Sequence, residues 1–466
     1  MGSLRSVAIV VFLVALVAGC SRAEPPRAIP APAPHQAPIG DWTGRLPLPN
    51  RELPLGVTIA ADRITVSIPE QGIIDKPTVQ TSTDPDNLTF TLPDIPGLPT
   101  FQGRHDRTAD TITGEFRQSG QHWPLTMTRG KVTAPPRPQE PKPPWPYRAE
   151  EVTYRSGHLT IAGTLTLPNA PGPAPAVVLI SGSGPQDRNE ELFAHKPFLL
   201  IADALTRAGY AVLRTDDRGV GGTGGKLDHA SYLDLTNDIV AGIDFLRTRP
   251  DIDRARIGLF GHSEGGYLAP LAAARPDSGV AFVIMMAGPA APGGDVLIEQ
   301  NWRILAARGA SPQEKREQIE LVSTLVPLVR GGDAYQTRQF LVDHNIATPA
   351  EEQLPSEAID FYTSPYFASF IGHDPAPALQ ALRMPVLAFY GSKDLQVPPR
   401  QSEPLARRYL AANPDADIHV FDGLNHLMQP AGTGLMDEYP RIETTVAPEV
   451  LDYVAAWLTT RIPPAR

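Results

Sequence analysis

The sequence predicts an α/β protein with a doubly wound, mostly parallel sheet and a helical insertion, preceded by a smaller antiparallel β domain. Three observations lead to this prediction. Strands and helices alternate from about residue 148 to the end, and one long helical stretch interrupts that alternation. Short segments nearer the N-terminus instead alternate apolar and polar residues with a period of two, as half-buried antiparallel strands do.

Length and composition limit the classes of function. The chain has 466 residues, of which 42% are hydrophobic and 20% are charged, as expected of a globular protein with two or three domains. The net charge is -10, and no dense run of Lys and Arg occurs. A nucleic-acid partner is therefore disfavoured, because phosphate binding needs concentrated positive charge.

The N-terminus has the features of a secretory signal. Arg5 precedes an apolar run over 7–17, which is too short to span a membrane comfortably. The run ends in Val-Ala-Gly-Cys, which resembles a bacterial lipobox, and Cys20 is the only cysteine of the chain. We therefore expect a signal peptide over 1–19, a lipid anchor on Cys20 and attachment to the bilayer of the bacterial cell envelope. Ser21 resembles outer-membrane sorting signals; the alternative is an ordinary signal peptide with an incidental cysteine.

The next segments predict a tether, a β domain and a linker. Residues 20–39 are rich in Pro and Ala and predict an extended tether. Residues 40–132 contain short alternating segments bounded by turn residues, which predict a small sandwich or barrel. We expect His105 and His122 in this region to be surface or hairpin residues rather than ligands. Residues 133–147 are dominated by proline and predict a stiff linker.

Residues 148–466 predict the larger domain. A hairpin opens it, and apolar strands then alternate with amphipathic helices. Residues 293–375 contain long helical segments without a central strand, which predict a cap over the sheet. The predicted strands after the hairpin are 176–180, 210–213, 257–260, 281–286, 385–390 and 418–421.

Gly261-His262-Ser263-Glu264-Gly265 lies between an apolar strand and a helix of small residues. This strand–turn–helix context predicts a nucleophile elbow, in which a strained turn exposes the Oγ of Ser263. Glycines before and after the serine let the strand and the helix approach each other closely. The alternative is a glycine-rich turn with no chemistry.

A serine hydroxyl needs a general base, and behind such an elbow the chain order is serine, acid, histidine. Asp394 follows the strand over 385–390 and is our candidate acid, with a plain turn residue as the alternative. His426 lies in the loop after the strand over 418–421 and is the candidate base. His419 lies inside that strand, where a structural role is expected. The weaker candidate acids are Asp374, Asp415, Asp417 and Glu403.

Acyl transfer also needs hydrogen-bond donors for the negative oxygen of its transition state. The backbone N–H of Glu264 is one candidate. The other is Ser183, in the loop Ser-Gly-Ser-Gly-Pro over 181–185, with Gly184 as the second choice. This loop lacks the spacing of dinucleotide- and nucleotide-binding motifs, and no cluster of residues has metal-ligand spacing. We therefore predict no cofactor and no metal. Residues 216–222 are expected to brace the site through a buried Arg–Asp pair.

Together these stretches resemble bacterial α/β hydrolases of the carboxylesterase type, near the dienelactone-hydrolase and prolyl-oligopeptidase-like branches. The resemblance covers about 148–466 and implies an α/β-hydrolase fold and hydrolysis of carboxylic esters, often short-acyl ones. Some members also carry an N-terminal β-rich domain. The chain departs from many relatives in having Ser-Gly-Ser-Gly instead of His-Gly, and in its cap. The matching stretches are 179–190, 217–221, 257–266, 391–394 and 425–426.

The leading hypothesis is a serine carboxylesterase that acts on a small-molecule ester of short to medium acyl length. A peptidase or an acyltransferase of the same fold is the alternative, because the same three residues serve all three reactions. A non-catalytic binding protein is a further alternative. The presence of serine, acid and histidine in the required order argues against it.

Overall fold

The computed structural model describes residues 38–48, 51–71, 73–80, 87–93, 95, 98–118, 121–133, 135–344 and 356–464. The predicted signal peptide, Cys20 and nearly all of the predicted tether lie outside the described residues. The described chain contains two sheets, joined through the proline-rich segment. No helix within those ranges is long and apolar enough to cross a membrane.

The N-terminal sheet is antiparallel and consists, within the described ranges, of β1 (Gly40–Leu48), β2 (Arg51–Ile59), β3 (Ile64–Ile68), β4 (Ile73–Pro77), β5 (Val79–Gln80), β6 (Asn87–Thr91), β7 (Thr100–Asp106), β8 (Thr111–Gln118) and β9 (Gln121–Arg129). The strand order is β4-β3-β2-β1-β9-β8-β7-β6-β5. The first and last strands pair, and the two edge strands are consecutive in the chain. This is the topology of an up-and-down barrel that is open between β4 and β5.

The period-two pattern accounts for the core of this sheet. In β3, Ile64, Val66 and Ile68 are buried while the residues between them are only partly buried. Trp42 is fully buried, and the Arg129 guanidinium lies 4.0 Å from its ring centroid. Since these side chains pack against one another, the barrel has a hydrophobic core of its own.

The larger sheet contains β10 (Arg148–Ser156), β11 (Leu159–Leu167), β12 (Ala174–Ile180), β13 (Ala211–Thr215), β14 (Ile252–His262), β15 (Val283–Met286), β16 (Val386–Gly391) and β17 (Ala416–Phe421). Its order is β10-β11-β13-β12-β14-β15-β16-β17. β11 pairs antiparallel with both β10 and β13, and all the other neighbouring strands of this sheet pair in parallel. Helices cover both faces, so strands such as β12 are apolar throughout.

The helices are α1 (Pro197–Arg207), α2 (Tyr232–Thr248), α3 (Gly265–Ala273), α4 (Gly293–Ala307), α5 (Pro312–Arg330), α6 (Ala334–Asp343), α7 (Ser356–Tyr362), α8 (Pro365–Gly372), α9 (Ala376–Ala381), α10 (Pro399–Tyr409) and α11 (Pro448–Arg461). Two of them, α1 and α11, bury Leu205 and Trp457 in the apolar cluster on one face of the larger sheet. On the other face α2 and α3 contribute Ile243 and Leu268 to a second cluster. The sheet is therefore doubly wound.

Helices α4 to α8 form the helical insertion between β15 and β16. They share an apolar cluster in which α4 contributes Leu297, α5 contributes Leu325 and α8 contributes Phe367. The N-terminus of α5 has a reciprocal capping box: the Ser311 hydroxyl accepts from the Glu314 N–H, and the Glu314 carboxylate accepts from the Ser311 N–H. The insertion thus has a small core of its own above the sheet.

The proline-rich segment is bound along the larger domain. The Arg137 guanidinium donates to the backbone oxygens of Phe193, Pro440 and Ile442 at 2.9, 2.8 and 3.0 Å. The Gln139 side chain donates to Val446 O at 2.8 Å, and it accepts from the Thr445 N–H at 2.6 Å. These contacts fix the segment against the stretch between β17 and α11 and, through Phe193, against the loop between β12 and α1.

We predict that Arg137→Ala lowers the free energy of unfolding by about 2 kcal/mol, because three partly buried carbonyls lose a charged donor. Urea unfolding followed by tryptophan fluorescence measures the change. Lys131→Ala is the control, since Lys131 is exposed. Equal effects of the two substitutions would contradict a docked segment.

Candidate active site

The turn between β14 and α3 places Ser263 above the end of the sheet. Its φ is +52°, a left-handed conformation that non-glycine residues rarely adopt. The Ser263 N–H donates to Met286 O at 2.9 Å, which ties the turn to the end of β15. A Cβ on Gly261 would lie 2.0 Å from Gly265 O, and a Cβ on Gly265 would lie 2.2 Å from Ile180 O. Only glycine fits at these two positions, as the sequence motif predicts.

Two further strand ends bring the candidate acid and base together. Asp394 follows β16, His426 follows β17, and His426 Nδ1 lies 2.8 Å from Asp394 Oδ2. Asp394 Oδ1 accepts the backbone N–H groups of Gln396 and Val397 at 2.8 and 2.9 Å, which hold the carboxylate in place. Both side chains are almost fully buried. In this arrangement Nδ1 donates to the carboxylate and Nε2 is left to act as a base.

His426 lies against His262, the residue next to Ser263, and is not hydrogen-bonded to Ser263 among the described residues. Within the described part of the chain no hydrogen bond joins Ser263 Oγ to the His426 ring. The ring of the adjacent residue His262 lies against that of His426 in a tilted arrangement, with the ring centroids 4.9 Å apart. Catalytic hydrogen bonds of this kind are commonly longer without substrate and shorten when it binds.

His419 lies elsewhere, as expected of a structural residue. It is inside β17, and its ring centroid is 4.4 Å from that of Phe421 and 4.9 Å from that of Tyr453. The structure therefore brings Asp394 to His426 and not to His419.

The loop after β12 lies beside Ser263. Ser183, Ser263 and Glu264 line one cavity. Within the described residues, the backbone N–H groups of Ser183 and Glu264 donate no hydrogen bond. The N–H of Gly184, our second choice, donates instead to the Tyr366 hydroxyl at 2.9 Å. The two candidate donors are thus free to bind an oxyanion, while Gly184 is engaged by the cap.

The Glu264 side chain connects the elbow to the cap. Its carboxylate accepts from the Tyr366 hydroxyl of α8 at 2.6 Å and from the Tyr232 hydroxyl of α2 at 2.7 Å. Burial raises the pKa of Glu264 from 4.5 to about 7, although both phenol donors oppose that rise. Because Tyr366 also accepts from Gly184, one phenol joins the cap, the elbow and the loop after β12.

A second buried pair lies directly behind Ser263, and the sequence analysis did not predict it. Glu190 Oε1 is 2.8 Å from His262 Nδ1 and accepts the Gly182 N–H at 2.6 Å. His262 Nε2 is 3.2 Å from the backbone oxygen of His426. Glu190 lies within a stretch quoted for the family resemblance, yet no residue spacing links it to His262. Glu190 does have an unusual left-handed φ of +52°, but this backbone angle is seen in the folded structure and cannot be read from the sequence.

The segment after β13 braces the loops through three separate contacts. Asp216 accepts from Arg188, and the Asp217 carboxylate accepts from the Ser181 hydroxyl at 2.9 Å. Arg218 pairs with Asp238 of α2 at 2.6 Å. The expected Arg–Asp pairs are present, but each partner comes from outside the segment.

The rest of the cavity is lined mainly by the cap. Val296, Leu297, Phe361, Phe367 and Phe370 form its apolar wall, and Gln300 and Gln396 are polar residues at its edge. Among the described residues no group of three or more His, Cys, Asp or Glu side chains could hold a metal ion.

Comparison of the sequence with known proteins identifies a family and two similar proteins. A family model described as the alpha/beta hydrolase family matches residues 177–436. Esterase EstD of Thermotoga maritima is 30% identical over 302 residues, which cover 64% of this chain and 65% of EstD. The putative hydrolase YtaP of Bacillus subtilis is 32% identical over 122 residues, which cover 23% of this chain and 41% of YtaP. The chain thus spans less than two thirds of the length of either relative.

Solved structures also match at low identity. The Pyrococcus furiosus esterase Pf2001 has a TM-score of 0.42 and 16% identity, with 71% of this chain and 99% of that chain covered. Est1E of Butyrivibrio proteoclasticus, with ferulic acid bound, has a TM-score of 0.43 and 16% identity, with 67% and 99% covered.

We predict that Tyr366→Phe lowers the free energy of unfolding by about 2 kcal/mol, because Glu264 loses one of its two phenol donors and the Gly184 N–H loses its acceptor. Urea unfolding measures the loss. Tyr362→Phe is the matched control, since this cap tyrosine packs against Phe361 and Phe367 and none of the described hydrogen bonds involves its hydroxyl. If both variants lose the same stability, the hydroxyl contacts of Tyr366 do not hold the cap.

Proposed function

Since the chain belongs to the α/β-hydrolase family, we propose that it is a serine carboxylesterase with Ser263, His426 and Asp394 as its catalytic residues. The observation that carries this proposal is the meeting of four loops at the carboxyl ends of the parallel strands. The elbow serine and two free backbone donors line one cavity, and a histidine held by a buried aspartate lies against His262, the residue next to that serine. The 30% sequence identity to the protein named esterase EstD supports an ester-cleaving activity.

The reaction proceeds in two steps on these groups. His426 Nε2 takes the proton of Ser263 Oγ as this oxygen attacks the ester carbonyl, and Asp394 stabilises the imidazolium that forms. Collapse of the tetrahedral intermediate breaks the C–O bond to the alcohol, which leaves with the proton from His426. Water, deprotonated by the same histidine, then attacks the acyl-enzyme, releases the acid and restores Ser263.

The backbone N–H groups of Ser183 and Glu264 bind the oxyanion of both intermediates. They have no other acceptor among the described residues, so they need no rearrangement before they donate. Each such donor lowers the barrier by about 3 kcal/mol, by analogy with other acyl-transfer enzymes.

The cavity favours a short to medium apolar acyl group. Its wall of aliphatic and phenylalanine side chains offers no charged partner to the acyl chain, and its volume is about 60 Å³. A cavity of this size limits the length of the acyl chain that it can hold. We also propose that the protein lies near the dienelactone-hydrolase and prolyl-oligopeptidase-like branches, on the basis of the residue stretches that resemble them.

We predict that Ser263→Ala abolishes hydrolysis of p-nitrophenyl esters, because the nucleophile is lost while the fold persists. The wild-type rate is expected to be highest for short acyl chains and to fall toward the longest of a series from about C2 to C16. Steady-state kinetics across the series measure both effects. Ser278→Ala serves as the control, because its hydroxyl bonds Ala273 O on α3, away from the cavity.

Retained ester hydrolysis in Ser263→Ala would exclude the mechanism. An inactive wild type that still reacts with a fluorophosphonate at Ser263 would shift the assignment to a peptidase or an acyltransferase. Amide substrates and acceptor alcohols then separate these two.

We also propose that the protein is a lipoprotein of the bacterial cell envelope, on the basis of the signal sequence and Cys20 alone. The docked proline-rich segment and the barrel would then stand between the lipid and the hydrolase domain.

We predict that Cys20→Ser moves the protein from the membrane fraction to the soluble fraction, because the acylated side chain is lost. Fractionation after labelling with a radioactive fatty acid measures this, and Ser21→Ala is the control. Membrane association of the Cys20→Ser variant would rule out the anchor.

A further inference from the structure

We propose that Glu190 and His262 form a buried ion pair that positions the catalytic groups around Ser263: it holds His426 through its backbone oxygen and the oxyanion loop through Gly182. This inference rests on the proposed function and extends it. Neither residue touches the substrate cavity as lined by the described residues, so both are positioning residues.

The hydrogen-bond partners of His262 decide its charge. Nδ1 faces a Glu190 carboxylate oxygen and Nε2 faces the carbonyl oxygen of His426. When Glu190 is ionised, both partners only accept hydrogen bonds, so both ring nitrogens carry protons and the ring is an imidazolium. The side chains of His262 and Glu190 are 4% and 2% exposed, so the pair is shielded from water.

The electrostatic surroundings agree with that charge. The ionisable groups facing His262 are Glu190 from the loop after β12, Asp394 from the loop after β16 and His426 from the loop after β17. Although burial by itself lowers the pKa of His262, the Glu190 carboxylate raises it above 6.5, and the His426 carbonyl and Asp394 add to that rise.

One carboxylate oxygen serves two donors. Glu190 Oε1 accepts the Gly182 N–H as well as His262 Nδ1–H. A Cβ built on Gly182 would lie 3.1 Å from Glu190 Oε1, 3.3 Å from Ser263 Cβ and 3.5 Å from His262 Nδ1. The pair therefore meets the oxyanion loop one residue before Ser183, immediately beside the nucleophile.

The backbone that carries Glu190 is strained. Glu190, Phe193 and Ala194 have φ angles of +52°, +53° and +60°, although none is glycine. Conformations of this kind are unfavourable for residues other than glycine, and they persist where the surrounding structure fixes them, commonly at functional sites. Here the strained turn directs a carboxylate into the space behind Ser263.

Glu190→Gln tests the pair without a change of shape. If the amide oxygen takes the place of Oε1, His262 keeps Nδ1–H but, being neutral, has no proton on Nε2 for the His426 oxygen. If the amide nitrogen takes that place, it meets the Gly182 N–H as a second donor. The first orientation loses the hydrogen bond from His262 Nε2 to the His426 oxygen, and the second loses the hydrogen bond from the Gly182 N–H. In the first orientation, protonation of His262 restores the lost hydrogen bond.

We expect Glu190→Gln to lower kcat on the order of 10- to 100-fold at about pH 8, with KM within about twofold, since catalytic groups shift but the acyl pocket does not. The ratio of wild-type to variant kcat should shrink as the pH falls, at a pH below the ordinary histidine pKa of about 6.5, because burial opposes protonation of a histidine that has lost its anionic partner. A defect of folding alone would not produce this pH-dependent ratio. A constant ratio across pH overturns the proposal.

His262→Phe provides the second arm. It is expected to reduce kcat at least as much as Glu190→Gln, and the double variant should be no worse than the worse single variant, because the two residues act as one unit. Additive losses overturn the pair. Glu191→Gln is the matched control: this neighbouring carboxylate faces Lys196 instead, and the substitution should leave kcat unchanged.

A measurement on the wild type covers the case in which a variant does not fold. In protein labelled with nitrogen-15 on histidine, the two ring nitrogens of His262 should both carry protons at about pH 7.5. A neutral His262 at that pH overturns the proposal. Ester hydrolysis that persists in Ser263→Ala would instead overturn the proposed esterase mechanism, so the two failures are distinguishable.

Discussion

The backbone turn at Ser263 is the constraint on which the site depends. A left-handed φ at a non-glycine residue is unfavourable, and here the tight packing of β14 against α3 imposes it. That packing is possible because Gly261 and Gly265 leave no side chain between strand and helix. Gly266 extends the contact, since a Cβ there would lie 2.3 Å from the Cα of Gly288. Steric exclusion therefore raises the serine hydroxyl above the sheet and leaves its N–H bonded to β15.

Buried polar contacts then set the loops around that turn. Asp394 orients His426, Glu190 joins His262 to Gly182, and Glu264 joins the elbow to the cap through Tyr366. A buried carboxylate is costly unless its oxygens accept hydrogen bonds, so each of these groups favours the arrangement of neighbours that supplies donors. Asp394 and Glu264 accept on both oxygens, whereas Glu190 accepts on Oε1 and its buried Oε2 has no partner among the described residues. Together they convert loops that are separate in sequence into one rigid constellation, which acyl transfer requires because its donors must be in place before charge develops.

The two accessory parts are attached by different means. The cap has its own apolar core and reaches the site through Tyr366, so its position is coupled to Glu264 and to the loop that carries the proposed oxyanion donor Ser183. The barrel is joined through a proline-rich segment whose Arg137 and Gln139 bind backbone groups of the larger domain. Proline restricts the backbone of that segment, while two side chains provide its specific contacts. A pattern of prolines predicts stiffness but cannot indicate docking.

The sequence by itself determined the fold class, the antiparallel N-terminal domain and the hydrolase family, because apolar periodicity and the glycines of the elbow are local requirements of the backbone. It also nominated Ser263, Asp394 and His426, since chain order and position after a strand are readable from one segment at a time. Only the tertiary structure decided which distant side chains contact one another. Glu190 reaches His262 across 72 residues, Tyr366 reaches Glu264 across 102, and Arg137 reaches Pro440 across 303. Such contacts have no local signature, because they depend on where loops from distant strands meet at one edge of the sheet.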